Sequence, residues 1–148
     1  MRLRALALAL ALVIPSSALA DTVIVQMTTD PSQGFQPRFV PADVTIQPGD
    51  TVRWVNTDEF SLEHGTCSGT GSSDPLAGQL WQSPSLPYGQ WFEHTFDDPG
   101  MFEYFSVPHE FAGMFGVVRV GNSTDIPDIE DSTWGRTKAL FESFLPRD

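Results

Sequence analysis

Short runs of alternating apolar and polar residues, each closed by a turn signal, limit what this chain can fold into. Thr51-Val52-Arg53-Trp54-Val55-Asn56 alternates with period two and puts Val52 and Trp54 on one face, as a strand with one side against a core does. Gln47-Pro48-Gly49-Asp50, just before it, has Pro and Gly where a tight turn uses them. Thr22 to Met27 and Phe39 to Ile46 read as strands too. So does Gln90 to Phe96, with Phe92, His94 and Phe96 on one side and the turn Asp97-Asp98-Pro99-Gly100 after it. Met101 to Phe105 and Phe115 to Val120 complete the set. Many short strands with turns between them imply an antiparallel sandwich or barrel. No internal repeat or low-complexity tract interrupts the pattern.

The two ends differ from this middle. Met1-Arg2-Leu3-Arg4 is basic, Ala5 to Ile14 is an unbroken apolar run, and Ala18-Leu19-Ala20 is a small-x-small cleavage site. The run is too short to span a bilayer, and the combination reads as a secretory signal peptide cut after Ala20. Its short Ala/Leu core looks bacterial, so the expected destination is the periplasm. Past Gly121 the acidic stretch Asp125-Ile126-Pro127-Asp128-Ile129-Glu130-Asp131 suits a linker or strap. Ser132 could then cap a helix from Thr133 to about Leu145, with Trp134, Phe141 and Leu145 on one face. Gly135 weakens that helix. The expected organisation is a signal peptide at 1–20, one domain at 21–121, and an acidic linker with a short helical extension at 122–148.

Charge and cysteine usage narrow the function classes. The formal net charge is −11, and removing Arg2 and Arg4 with the leader makes it −13. So acidic a chain is a poor match for nucleic acid or an anionic membrane and suits a basic protein partner. No later segment is apolar enough to span a membrane. Cys67 is the only cysteine, so no internal disulfide exists. In an oxidising compartment its thiol must be buried, metal-bound or paired with another molecule. Between His64 and Gln90 the chain is irregular. Ser68 to Pro75 is small and polar and reads as a surface loop, while Leu76, Leu80 and Trp81 should cover one end of the sandwich.

The chemistry concentrates in Tyr104-Phe105-Ser106-Val107-Pro108-His109-Glu110-Phe111-Ala112-Gly113-Met114-Phe115-Gly116. His109 and Met114 lie five apart on a short loop between strand-like runs. An imidazole nitrogen and a thioether sulfur together suit copper, although a methionine alone is more often core filler. No nucleophile–base pair stands out and there is no cluster of extra histidines, so catalysis is not expected.

This loop resembles the ligand loop of the plastocyanin/azurin-like cupredoxins, the blue copper proteins, which reads Cys, two residues, His, four residues, Met. The resemblance extends to Phe39-x-Pro41-x-x-Val44, to Pro48-Gly49-Asp50-Thr51-Val52-x-Trp54-x-Asn56, to Asp98-Pro99-Gly100 with Phe102-x-Tyr104-Phe105, and to Gly116-x-Val118-x-Val120. It covers about Val23 to Val120. It implies an all-β fold, a Greek-key β-sandwich holding one copper ion, Cu(I) or Cu(II), between loops at one end, with electron transfer as its role. By resemblance His109 and Met114 are ligands, and His64, eight residues after Asn56, is the first ligand. Ser106 falls where the family carries its cysteine. His94 alternates with Phe92 and Phe96 and reads as structural.

A serine hydroxyl is a poor copper ligand and gives no thiolate charge transfer. Two imidazoles and a thioether make a plausible Cu(I) site, and Cu(II) would recruit water or a carboxylate such as Glu63 or Glu110. Cys67 is a further candidate. If the segment after His64 is extended, Cys67 lies roughly 10 Å on and faces the other way. If Gly65 bends the chain, both could reach one metal. Three functions remain open: an electron-shuttling periplasmic cupredoxin, a non-blue copper carrier or copper-tolerance protein working with a copper-delivery partner, and a metal-free scaffold.

Overall fold

The computed structural model describes residues 19–121. Most of the expected signal peptide, the acidic linker and the helix expected at 133–145 lie outside the described residues.

Eight strands follow in order: β1 (Thr22–Asp30), β2 (Gln36–Val40), β3 (Asp43–Ile46), β4 (Asp50–Asn56), β5 (Cys67–Ser68), β6 (Trp91–Phe96), β7 (Gly100–Phe105) and β8 (Phe115–Val120). They form two four-stranded sheets, ordered β2-β1-β4-β6 and β3-β8-β7-β5. The expected sandwich is there, but it is not wholly antiparallel. β1 pairs with β4 and β3 pairs with β8 in parallel. The chain leaves the first sheet at Pro41, makes β3 in the second, and returns as β4 beside β1. Pro41 follows a cis peptide bond. A proline cannot donate to a ladder and fixes φ, which suits the point where the run from Phe39 to Ile46 changes sheets.

Period-two alternation places the core. Val52 and Trp54 on β4 are fully buried, as are Val25 and Met27 on β1 and Val118 and Val120 on β8. Between the sheets Trp54 meets Tyr104 edge-on at 5.3 Å and stacks on Trp81 at 5.6 Å. Trp81 comes from the irregular segment, yet it belongs to the core cluster and does more than cover an end. Its indole N–H donates to Thr66 Oγ1 at 3.1 Å, which satisfies the polar edge that burial would otherwise orphan. Leu76 is also buried, whereas Leu80 is 40% exposed.

The segment expected as a surface loop after Cys67 is also partly interior. Ser68 and Asp74 are buried. Asp74 accepts hydrogen bonds from the Thr70 and Leu76 N–H groups at 3.0 Å each, so the polar composition folds the loop on itself. Deleting a buried tryptophan side chain removes its transfer free energy and leaves a cavity. Trp81→Ala is therefore expected to lower the unfolding free energy by about 3–5 kcal/mol in equilibrium denaturant titration. A loss within 1 kcal/mol would show the irregular segment to be a dispensable cover.

Candidate metal centre

Strands β7 and β8 hold the loop that carries Ser106, His109 and Met114. The loop is a tight 3-10 segment, Val107–Ala112, that starts at Ser106 with Pro108 near its beginning and ends at Gly113 with φ +83. Backbone hydrogen bonds close it: Ser106 N–H to Met114 O at 3.0 Å, His109 N–H to Ser106 O at 2.9 Å, and Met114 N–H to His109 O at 3.2 Å. The three candidate positions are thus fixed to one another before any ligand is considered.

His64 reaches the same place from the irregular segment between β4 and β5. Its backbone N–H and C=O pair with Leu86 at 3.2 and 2.7 Å. Asn56, at the end of β4, holds the intervening turn: its side-chain amide donates to Leu62 O at 2.8 Å and Leu86 O at 2.7 Å, and its oxygen accepts the Asp58 N–H at 2.8 Å. The His64 and His109 rings then lie 4.6 Å apart between centroids.

His64 is fully buried and its Nε2 lies 2.7 Å from Asp58 Oδ2, on a carboxylate that is itself fully buried. Asp58 also accepts from Thr29 Oγ1 on β1 and from the Phe60 N–H. Burial opposes the charge on this carboxylate, but the hydrogen bonds from Thr29, His64 and Phe60 outweigh it and hold the group below the usual Asp range. His109 is pushed down from its ordinary value by burial first and then by neighbouring His64, with Asp58 acting against both. A lowered pKa leaves the imidazole unprotonated, the form that binds a metal.

Native proteins rarely leave a buried polar atom unpaired. Among the described residues the unpaired buried side-chain atoms are His64 Nδ1, Ser106 Oγ, His109 Nδ1 and Trp54 Nε1. Trp54 Nε1 belongs to the aromatic core. The other three belong to the loop and the histidine pair just described, where Met114 is only 1% exposed. Two imidazole nitrogens and a hydroxyl without protein partners, with a buried thioether on the same loop, are a donor set that fits copper.

Other candidates are placed elsewhere. Gly65 has no left-handed φ, and Cys67 pairs with Phe105 on β7. Its thiol lies against Ser68 O at 3.7 Å, and no group of three or more His, Cys, Asp or Glu gathers among the described residues. Burial, with Asp74 and Glu110 adding to it, pushes the Cys67 thiol up, which keeps it protonated. Glu63 accepts from Ser85 Oγ at 2.7 Å. Glu110 turns to the Ser72 N–H at 2.9 Å. Beside it Gly71 has φ +147, a conformation that side chains rarely adopt, and a Cβ added there would sit 2.6 Å from Glu110 Oε1 and displace the carboxylate. His94 stacks on Trp81 at 5.0 Å and meets Phe96 edge-on. Sequence reasoning missed Asp58. Its trace was the Asn-x-Asp ending a strand, a pattern whose side chains fold the chain onto itself.

A family model for copper binding proteins of the plastocyanin/azurin family matches residues 25–121. The chain belongs to that family. Copper is the metal that goes with it, and its members are electron carriers. A plastocyanin from a Synechococcus species is 35% identical over 106 residues, 70% of this chain and 76% of that one. A pseudoazurin from Methylorubrum extorquens is 31% identical over 120 residues, 81% of this chain and 74% of the other. Among solved structures, a purple cupredoxin from Nitrosopumilus maritimus matches with TM-score 0.53 at 27% identity, covering 66% of this chain and 98% of its own.

Two expectations follow for this cupredoxin. Asn56→Ala removes three hydrogen bonds in a fully buried setting, so unfolding free energy should fall by roughly 2–4 kcal/mol, read by urea titration of the apoprotein. His94 is pushed below its ordinary 6.5 by burial, with Asp97 opposing. The unfolded chain then takes up its proton at higher pH than the folded one. The stability this residue contributes is complete above about pH 6.5 and is lost as pH falls below it. The apoprotein midpoint should decline from pH 6.5 to 5, with a shallower slope in His94→Gln. An unchanged slope would place His94 outside the aromatic stack.

Proposed function

We propose that this protein is an exported cupredoxin that holds one copper ion through His64, His109 and Met114, with Ser106 at the position where the family carries its cysteine. The observation that supports it is the set of buried, unpaired atoms His64 Nδ1, His109 Nδ1 and Ser106 Oγ. The leader read from residues 1–20 supports the periplasm as its compartment. Among the described residues no helix is long and apolar enough to cross a membrane.

Bound copper would supply a one-electron Cu(I)/Cu(II) couple. The chain's own residues supply the frame. The backbone closure of the loop fixes His109 and Met114, and Asp58 fixes His64. A site that cannot rearrange holds similar geometry in both oxidation states, which favours electron exchange. His109 is half-buried, and the loop beside it exposes Val107 and, at 99%, Phe111. An apolar surface next to a ligand suits brief docking of a partner, and the negative charge of the chain favours a basic one.

A second reading, a copper carrier, is favoured by Ser106. Without a thiolate, two imidazoles and a thioether suit Cu(I). Both readings predict a site without the blue chromophore. The processed protein given one equivalent of Cu(II) should bind it and stay pale. Ser106→Cys should turn intensely coloured, because a thiolate then joins the two histidines. An intense band in the native protein that disappears in Cys67→Ala would overturn the ligand set.

A further inference from the structure

His64 makes its hydrogen bond to a carboxylate. An ionised carboxylate only accepts, so His64 Nε2 carries a hydrogen, and the neutral ring that a metal needs then has its lone pair on Nδ1. That is the atom found buried without a partner. The tautomer a metal needs is thus chosen by Asp58, as the hydrogen-bond partner of a ligating histidine generally chooses it.

Among the described residues the charge on Asp58 has no Lys or Arg counterpart. The arginines of the described residues are Arg38, Arg53 and Arg119, and they pair at the surface with Asp30, Glu93 and Asp43. The described residues contain no lysine. Glu63 and Glu110 turn to Ser85 and Ser72. A fully buried anion therefore stands one imidazole away from the donor set, with Thr29 and the Phe60 N–H as its remaining partners. Buried charges of this kind interact strongly with whatever charge sits nearby.

We propose that Asp58 is the positioning residue of the metal centre: it sets the His64 tautomer and, through that imidazole, lends negative charge that favours Cu(II) over Cu(I). In a site where serine replaces the thiolate, it takes on the charge-balancing part of the lost ligand. This rests on the assignment of His64, His109 and Met114 as ligands.

The test is Asp58→Asn in the processed full chain, beside Asp43→Asn as a remote charge control and His64→Ala. Asparagine keeps an acceptor for Nε2 and removes the charge. Copper should remain bound to Asp58→Asn, with Cu(II) affinity down 10–100-fold, the usual effect of losing such an outer partner, and Cu(I) affinity changed less. The midpoint potential should rise by ~59 mV for each tenfold difference between the two. Asp43→Asn should leave it unmoved. A copper-loaded Asp58→Asn with the native potential would overturn the proposal, because a merely structural Asp58 would shift stability alone. If that variant does not fold, nitrogen-15 NMR of the native apoprotein decides. His64 carrying its hydrogen on Nε2 supports the proposal, and a hydrogen on Nδ1 overturns it. If His64→Ala binds Cu(I) and Cu(II) as the native chain does, the ligand assignment itself falls, and this proposal with it. That result is distinct from loss of binding in His64→Ala with no potential shift in Asp58→Asn, which overturns only the role of Asp58.

Discussion

A carboxylate with no access to water governs how one end of this sandwich is built. Burying Asp58 would be prohibitive without donors on its oxygens, and those donors come from three parts of the chain. Thr29 is on β1, Phe60 is in the turn after β4, and His64 begins the irregular segment. Satisfying one charge therefore fixes the relative position of three segments. Asn56 extends the network by holding Leu62 and Leu86 around the same histidine. The result is a candidate ligand side chain whose ring orientation is decided by the fold.

The opposite half of the centre is held by different means. No charge positions His109; the backbone of its loop does, closed on itself between β7 and β8. The irregular segment after β4 thus supplies a histidine set by electrostatics, and the β7–β8 loop supplies a histidine and a methionine set by main-chain geometry. The aromatic stack of Trp54, Trp81 and Tyr104 joins the two sheets between them. Any shift of one sheet against the other would break stacking contacts as well as separate the two histidine rings.

Much of this was legible in the residues. Alternation located β4 and the inward faces of Val52 and Trp54, because a period of two needs no knowledge of the partner strand. The spacing of His109 and Met114 within a loop between strand-like runs marked the loop that the structure brings beside His64. What could not be read was pairing. β1 lying parallel to β4 depends on a chain path through the other sheet. Trp81 reads as a cap because its neighbours are small and polar, and only the space beside Trp54 shows it to be core. Asp58 looks like one more surface acid in an acidic chain. Its role exists only once Thr29 and His64, far apart in sequence, come together around it.

The contact between Glu110 and the Gly71–Ser72 backbone makes two loops answer to each other. The carboxylate beside the candidate ligand His109 accepts the Ser72 N–H and lies where a side chain at position 71 would begin. The segment 106–114 is therefore tied to a second loop. Transplanting it into a relative, or accepting a relative's version here, gives up that tie unless a glycine-containing bend of matching reach comes with it. Over evolutionary time the two stretches should lengthen, shorten and change composition in step, even though about thirty-five residues of chain separate them.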